Sequence, residues 1–362
     1  MKNIRILSFL MVLGTEAVYG QFTETKVINR GFKVTPETHI EISNKYGKID
    51  LNTWEKDSVA INIGIRVEEK KLSKLEETFG NIDFDFTCTE HFLIARTQLK
   101  AGRNPFEDEI QKIRETVLQT GGNIEINYTV WLPDKNYLKI ENKFGNVFID
   151  DYAGEVMLLL SNGNLKAHDL KGKMSMVLNF ADANINSADQ GRIEASYSDI
   201  YIKTAQSLQV ISKSSTWEIP EIKNFVADSR RDKFRIRMVE VLDAKGSFTS
   251  FRINELLNKL NARIEYGDVD IEKISRDFTT IFIESKSADI NLYFNQETSF
   301  EFDLTHTKSD LNLCREMKVT ETKILDEKDK KTRITGSYGK KAPLKEKLFI
   351  NSFAGEINIF TE

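Results

Sequence analysis

Five aspartates recur along the second half of the chain, and their type and spacing could support chemistry. They are Asp182, Asp199, Asp268, Asp289 and Asp310. If the segments that carry them stack, their carboxylates form a column with about 4.8 Å between neighbours, the separation of paired strands. Glycoside hydrolysis requires two positioned carboxylates, and a column of like charges could bind Ca²⁺. The alternative, which their position in turns favours, is that they are solvated turn formers.

A concentrated basic strip lies near the middle of the chain. Its members are Arg230, Arg231, Lys233, Arg235 and Arg237. Phe234, Ile236 and Met238 alternate with Arg235 and Arg237 along the sequence. Because the apolar residues should face inward, the two arginines should project outward together. Guanidinium groups bind anions through paired hydrogen bonds, so the basic strip could hold an anionic polysaccharide or another envelope polyanion. The alternative is a solvated strand face balanced by Asp228, Asp232 and Glu240.

No catalytic motif accompanies these groups in the sequence. It contains no G-x-S-x-G, H-E-x-x-H, Walker loop or G-x-G-x-x-G. The histidines, His39, His91, His168 and His306, have no ligand-like spacing with one another. We therefore predict no catalytic, cofactor-binding or metal-binding residues, and a protein that is not an enzyme.

Composition narrows the function classes further. The 362 residues include 51 basic and 55 acidic ones, a net charge of −4, which argues against general nucleic-acid binding. Two cysteines, Cys88 and Cys314, exclude a disulfide-rich scaffold and a four-cysteine zinc site. Cys88 alternates with Phe84 and Phe86, which predicts that it faces a core. The two thiols could form a disulfide, but two unpaired buried thiols are the simpler interpretation.

Residues 1–20 are typical of a secretory signal peptide. Lys2 and Arg5 precede an apolar run over 6–13, and Gly20 supplies a small residue for cleavage. The alternative is an N-terminal membrane anchor, but the run is short for a span of about 20 residues. We predict a mature chain without a transmembrane segment, exported to the periplasm or to the extracellular surface.

A short repeat supplies the elements that must position these side chains. Residues 144–149, FGNVFI, form a turn and an alternating strand, and NGNLKA over 162–167 repeats both. The unit recurs with apolar residues at equivalent positions: Val147, Leu165, Ala183, Ile200, Trp217, Phe234, Val269, Ile290 and Leu311. A second strand recurs with Val156, Met174, Ile193, Val210, Ile264, Ile281 and Phe302.

The period of these units predicts an all-β β-solenoid of stacked two-strand coils, each of about 17–21 residues. One double step separates Phe234 from Val269, and NELLNKL over 254–260 could be a short helical excursion. Glycines in the turns should permit positive φ; they are Gly47, Gly145, Gly163 and Gly267. Aromatic residues before the turns should stack between coils; they are Tyr46, Phe144, Phe180, Tyr197, Tyr266 and Phe353.

The domain organisation follows from where this repeat is regular. Residues 21–57 carry the first solenoid strands, 58–133 form an α+β insert or cap with helices over 68–79 and 106–118, and 134–362 form the main solenoid. A cap has a clear role, because an open solenoid end exposes unpaired strand edges. Near the C-terminus we expect two features: a charged hairpin tip over 326–333, and a strand over 349–360 that closes the last coil.

The unit aromatic-Gly-(Asp/Asn)-(Val/Ile)-x-(Ile/Leu) occurs at 144–149 and 266–271, and at 46–51 with Lys48 in place of Asp or Asn. It resembles the adhesin-like β-solenoid family, a domain of unknown function in bacterial exported and envelope proteins. The resemblance covers roughly 27–362 and implies a β-solenoid fold. It supplies no catalytic residues.

These observations together predict a non-enzymatic exported module. We expect an adhesin-like binding or structural role at the bacterial cell envelope, with an envelope polysaccharide or a surface protein as partner and no nucleic acid. Two alternatives remain open: a carbohydrate-active solenoid enzyme that uses paired carboxylates, and a periplasmic sensor or regulatory partner.

Overall fold

The structure, a computed structural model, describes residues 21–100, 123–339 and 344–361. The predicted signal peptide over 1–20 and the predicted helix over 106–118 lie outside the described residues. Within the described ranges the chain forms 21 strands and one helix. That helix is too short and too polar to cross a membrane, and the described part of the chain contains no other.

The first elements along the chain are β1 (Phe22–Lys33), β2 (His39–Lys45), β3 (Ile49–Thr53), β4 (Ser58–Glu69), α1 (Leu72–Gly80), β5 (Ile82–Cys88), β6 (Phe92–Leu99) and β7 (Asn123–Leu132). Next come β8 (Leu138–Lys143), β9 (Val147–Ile149), β10 (Val156–Ser196), β11 (Asp199–Lys213), β12 (Thr216–Arg230), β13 (Lys233–Ser247) and β14 (Ser250–Glu265). The last are β15 (Asp268–Ile274), β16 (Thr280–Lys286), β17 (Asp289–Phe294), β18 (Phe300–Leu313), β19 (Lys318–Asp326), β20 (Lys331–Tyr338) and β21 (Glu346–Thr361).

Parallel pairing joins each coil to the next. Ile200 of β11 pairs with Trp217 of β12, which pairs with Phe234 of β13, so equivalent positions of successive coils lie side by side. Alternate residues face the interior: Trp217 and Ile219 are buried, whereas Glu218 between them is exposed. The predicted all-β solenoid of stacked coils is confirmed.

The predicted interior file of apolar residues is also confirmed. Val147, Leu165, Ile200, Val269 and Ile290 are each at most 3% exposed. Val147 pairs with Leu165, and Val269 pairs with Ile290. One coil could not bury these side chains by itself, so the stack stabilises them by sharing one continuous core.

The predicted double step between Phe234 and Val269 contains a coil that the sequence pattern conceals. Phe251 occupies it and pairs with Phe234 on one side and Val269 on the other. The predicted helical excursion over 254–260 is wrong, because these residues lie in β14. A β-bulge in the pairing of β14 with β13 absorbs the extra residue of this coil.

Two members of the second predicted file, Ile264 and Ile281, are not neighbours. Ile281 pairs with Leu260, and Ile264 pairs with Ser285. Both isoleucines nevertheless face the interior, because a displacement of four residues preserves the two-residue alternation of a strand. Periodicity therefore predicts which face a residue occupies better than it predicts the register.

At the C-terminal end, the order of the coils in space differs from their order in the chain. Strand β21 pairs with β16 and β17 on one side and with β18 on the other. The prediction that the strand over 349–360 closes the last coil is therefore wrong. That strand lies inside the stack, and the coil of β18 is beyond it.

A similar inversion occurs at the N-terminal end. Strand β2 lies between β6 and β8, and β3 lies between β7 and β9. The strands β6 and β7, which fall in the predicted insert over 58–133, thus form a coil beyond the first one. Antiparallel strands β1, β4 and β5 continue from that coil, and the β19–β20 hairpin continues from β18 at the other end. Such strands cover edges that an open stack would expose.

An aromatic ladder fills the middle of the core. Trp217 stacks on Phe234 with ring centroids 5.8 Å apart, and Phe234 stacks on Phe251 at 4.7 Å. All three side chains are at most 1% exposed. The indole N–H of Trp217 donates to Ser212 Oγ at 2.8 Å, which satisfies the polar atom that a buried tryptophan brings into the core.

The prediction that the turn glycines supply positive φ is wrong. The preceding residue takes that conformation, at φ +65° for Tyr46 and +57° for Phe144. Gly145 is required for a different reason: a Cβ at this position would lie 1.9 Å from the carbonyl oxygen of Gly47 in the neighbouring coil. Glycine therefore permits close approach of two backbones here.

Both cysteines are free. Cys88 is exposed, which contradicts the prediction that it faces a core, and Cys314 is half-buried. Cys88 ends β5, a strand beyond the end coil whose alternating side chains are half-buried at most. Burial raises the pKa of the Cys314 thiol.

Candidate functional site

One corner of the coil places a single residue of each turn in the left-handed region of backbone space. We call this file the aromatic corner. Its members, with φ between +50° and +65°, are Tyr46, Phe144, Asn162, Phe180, Tyr197, Ser214, Arg231, Phe248, Tyr266, Ser287, Ala354 and Lys308. Most L-residues disfavour this conformation, and asparagine tolerates it better than aromatic residues do.

The predicted stacking of aromatic rings along this corner is confirmed for Phe180 on Tyr197 and for Tyr46 on Phe144. The Phe180 and Tyr197 centroids lie 4.9 Å apart with the rings 5° from parallel, and the other pair lies 5.6 Å apart. Tyr266 stacks on Phe248 at 5.0 Å. Sequence reasoning missed Phe248, because neither glycine nor aspartate follows it; its spacing of one full period from Tyr266 could have identified it.

Lysines from neighbouring coils lie over two of these rings. Lys213 Nζ is 5.8 Å from the ring centroid of Tyr197, and Lys286 Nζ is 5.9 Å from that of Tyr266. These distances permit cation–π attraction. The aromatic corner therefore carries positive charge beside its rings.

The structure divides the basic strip between two surfaces. Arg230 ends β12, Arg231 occupies the aromatic corner and Lys233 begins β13, so these three follow the chain around the corner. Arg235 and Arg237 instead project from the outer surface of the first part of β13. All five side chains are exposed, and Arg235 and Arg237 project outward together, as the sequence predicts.

Different neighbours surround the two parts of the basic strip. At the corner, Arg230 pairs in register with Lys213, another exposed base. On the face, Arg235 lies between Glu218 and Arg252 in the adjacent coils. Arg237 approaches Glu221, with 4.0 Å between the guanidinium and the carboxylate. The corner part is thus the more purely basic of the two.

Asp232 does not balance the basic strip from the surface, because it is 1% exposed. Its carboxylate accepts hydrogen bonds from Ser229 Oγ at 2.6 Å and from the backbone N–H of Ser215 at 2.7 Å. Burial raises its pKa, and these hydrogen bonds oppose that effect only in part. The carboxylate therefore supports the turn that presents Arg231 and Lys233.

The five aspartates of the predicted column do not form an uninterrupted column. Thr216, Lys233 and Ser250 fill the equivalent positions between Asp199 and Asp268. The carboxylates of three of these aspartates also have hydrogen-bond partners. Asp182 Oδ1 accepts a hydrogen bond from the backbone N–H of Asp199 at 3.0 Å. Asp289 accepts in the same way from Glu356, and Asp268 accepts from Ser250 Oγ. These contacts agree with the turn-forming interpretation.

A different group of potential metal ligands comes together on the outer surface. His168 Nδ1 lies 3.3 Å from Asp150 Oδ1 and 3.7 Å from Asp151 Oδ1. In the described part of the chain, this is the one group of three acidic, histidine or cysteine side chains close enough to share an ion. Sequence reasoning missed it, because stacking rather than sequence brings His168 to the aspartates. All three are exposed, so water competes for every ligand position.

Asp169, next to this group, is held by hydrogen bonds from the next coil. Its Oδ1 accepts from Asn186 Nδ2 at 2.6 Å and from Ser187 Oγ at 2.8 Å. These hydrogen bonds hold the pKa of the Asp169 carboxyl below its ordinary value. A shallow cleft of about 320 Å³ lies beside it, lined also by Lys166 and Tyr201.

A second cleft, of about 420 Å³, lies on the strand face that leads to the aromatic corner. Its charged lining is mixed, with Arg263 and Glu284 joined by a 2.8 Å ion pair and Lys286 nearby. Phe353 borders the cleft, and Lys308 Nζ lies 5.7 Å from its ring centroid. The opposite charges in this cleft largely offset one another.

Comparison with known proteins gives the chain a family. The family model described as Toastrack DUF4097 matches residues 29–359, which include both inverted ends of the stack. The chain belongs to the Toastrack DUF4097 family. The members of this family share a β-solenoid-like fold of unknown function, so the resemblance drawn from the turn motif is confirmed.

Two solved structures are similar to this Toastrack chain. One is a candidate cell adhesion protein from Clostridium sporogenes, 11% identical, covering 94% of this chain and 100% of its own, with a TM-score of 0.19. The other is a candidate adhesin from Bacteroides fragilis, 12% identical, covering 72% of this chain and 97% of its own, with a TM-score of 0.30. At these TM-scores the likeness supports no further conclusion about the Toastrack chain. No curated protein matches its sequence.

Proposed function

We propose that this Toastrack protein is an exported, non-catalytic binding or structural module of the bacterial cell envelope. Its partner is an envelope polysaccharide or a surface protein, and the basic strip is its contact with polyanions. The observation that carries the proposal is the cluster of exposed bases at the aromatic corner. Lys213, Arg230, Arg231 and Lys233 are four exposed bases on adjacent coils, and Asp228, two residues before Arg230 on β12, is the exposed acidic residue nearest to them along the chain.

The spacing of these bases suits a polymer. Adjacent coils are separated by about 4.8 Å, so neighbouring cationic groups lie well within the Debye length of about 8 Å at physiological salt. Their mutual repulsion is relieved when an anionic chain passes along them. Arg230 and Arg231 can each bind a carboxylate or phosphate through two hydrogen bonds.

The N-terminal sequence supports the compartment. The basic and apolar order of residues 1–20 is that of a signal peptide, which would deliver the chain to the envelope. The aspartates of the column support a non-catalytic role, since Asp182 and Asp289 accept hydrogen bonds from backbone N–H groups of adjacent coils.

The test is cosedimentation of the purified chain with bacterial envelope fractions over a range of salt concentrations. We expect binding that weakens as salt rises. A variant with Arg230, Arg231 and Lys233 changed to Glu should lose most of it. The matched control changes Lys70, Lys71 and Lys74 to Glu; these lysines are also exposed but lie in α1 or just before it. Failure of the unmodified chain to sediment with any fraction would rule out the proposal.

A further inference from the structure

The aromatic corner presents rings that contribute little to the core. Phe180 is 60% exposed, Tyr197 48%, Phe248 54% and Tyr266 42%. Each also has a left-handed backbone conformation that aromatic residues disfavour. Asn162 shows that a small polar residue fits the same position. The rings are therefore better explained by what they present to solvent than by what they stabilise.

The two aromatic pairs flank the basic part of the corner. Phe180 and Tyr197 precede it, Phe248 and Tyr266 follow it, and between them Ser214 and Arg231 occupy the corner. Three coil steps separate Tyr197 from Phe248, a distance of about 14 Å at strand spacing. The surface is thus a linear sequence of ring, cation and ring.

The neighbouring file of side chains changes its charge over the same stretch. Asp199 and Asp268 lie beside the aromatic pairs, but Thr216, Lys233 and Ser250 replace aspartate between them. The net charge of the whole chain is −4, so this basic stretch is local. Charge complementarity there favours an anionic partner.

The backbone at this corner offers no strand edge to a peptide. The N–H of Ser214 donates to Arg230 O, that of Arg231 to Ser247 O and that of Phe248 to Glu265 O, at 2.8–2.9 Å. These N–H groups are therefore not free to bind a ligand, and binding depends chiefly on side chains. A sugar chain suits such a surface better than an extended peptide, which gains much of its affinity from backbone pairing.

We infer that the ligand of the aromatic corner is an acidic polysaccharide. Its sugar rings contact Tyr197 and Phe248, and its carboxylate or sulfate groups bind Lys213, Arg230 and Arg231 between them. The tyrosine hydroxyl of Tyr197 can bond sugar hydroxyls while its ring packs against their carbon faces. This inference rests on the proposed function and specifies the ligand class and the residues that select it.

The test is calorimetric titration of the purified chain with polygalacturonate, neutral dextran and polyphosphate. Polygalacturonate carries both rings and charge, dextran carries rings alone, and polyphosphate carries charge alone. We expect polygalacturonate to bind more tightly than either of the others. Equal affinity for polyphosphate would overturn the inference, because charge alone would then account for binding.

Asparagine substitutions test the rings without changing the backbone, since Asn162 has the same φ. A variant with Tyr197→Asn and Phe248→Asn should bind polygalacturonate about tenfold more weakly. The matched control is Phe144→Asn, which lies in the same file but removes a ring of the distant Tyr46–Phe144 pair, and it should bind as the unmodified chain does. Thermal unfolding checks that each variant is folded.

The outcomes separate this inference from the proposed function. Unchanged polygalacturonate affinity in the double variant overturns the role of the rings, even if the chain still sediments with envelopes. Polyglutamate is titrated in the same way, as a model of an acidic protein. If it binds as tightly as polygalacturonate, and if that binding also depends on the rings, the corner binds an acidic protein and the choice of polysaccharide is overturned. Loss of polygalacturonate affinity in the double variant, with envelope binding salt-dependent, supports both.

Discussion

The buried carboxylate of Asp232 accepts a hydrogen bond from the backbone N–H of Ser215 in the preceding coil, at 2.7 Å. The same carboxylate holds Ser229, and it lies beneath the turn that carries Arg231. One acidic side chain thus links the interior of the stack to its basic surface. This link has consequences for stability and its pH dependence.

Acidification should stabilise the protein through Asp232. Burial raises its folded pKa above the ordinary value of 3.8, so the folded state holds the proton more tightly than the unfolded state. The stabilising contribution is complete below the unfolded pKa and is lost as pH rises through the folded pKa. Urea unfolding from pH 7 to pH 4, compared with Asp232→Asn, isolates this group. A difference between the two proteins that does not vary with pH would contradict the prediction.

Removal of a ring from the interior ladder should be costly. Phe234 is 1% exposed and stacks between Trp217 and Phe251, so Phe234→Ala leaves a cavity and should lower the free energy of unfolding by about 3–5 kcal/mol. Phe180→Ala, at the exposed corner, should cost about 1 kcal/mol or less. Urea denaturation compares the two. Similar losses for both variants would mean that the ladder does not form the core.

The close approach of backbones at the turns can be tested by adding one methyl group. Gly145→Ala places a Cβ 1.9 Å from the Gly47 carbonyl oxygen, so two coils must separate, at a cost on the order of 3 kcal/mol. The control is Gly64→Ala in β4, where a Cβ meets nothing within 4 Å. It should leave the melting temperature unchanged or slightly raised. If Gly145→Ala melted as the control does, the close contact would be refuted.

Truncation before Glu346 should open the stack internally rather than shorten it. Strand β21 fills the place between the β16–β17 coil and β18, so its removal exposes strand edges on both sides. We expect aggregation or loss of cooperative unfolding, measured by size-exclusion chromatography and circular dichroism. As a control, residues 327–330 at the tip of the β19–β20 hairpin are replaced by a short turn, which should be tolerated. A monomeric truncated chain of unchanged melting temperature would count against this arrangement.

Alternation along the sequence was sufficient to predict the coil and its interior file. Val147, Ile200 and Ile290 recur because each must face the same dry interior, and that requirement is local. The coil of Phe251 was not predicted, because its turn has neither the glycine nor the aspartate that marks the other turns. A pattern defined by turn residues overlooks a turn built differently.

Neighbour relations between coils could not be predicted from the period. Equivalent residues can occupy any level of the stack, so nothing in the sequence around Ile357 shows that it pairs with both Ile290 and Leu311. The same limit applies to sites made by stacking. His168 meets Asp150 between adjacent coils, and their separation along the sequence equals the repeat itself.

The inverted position of β21 has a consequence for how the chain reaches its native state. A polypeptide that emerges N-terminus first can assemble its middle coils as they appear. The coil of β18, however, has no permanent neighbour on its inner side until residues 346–361 have been made, because β21 supplies that neighbour. Folding of this region therefore depends on the synthesis of β21, and a product that terminates before it would expose unpaired strand edges that can aggregate.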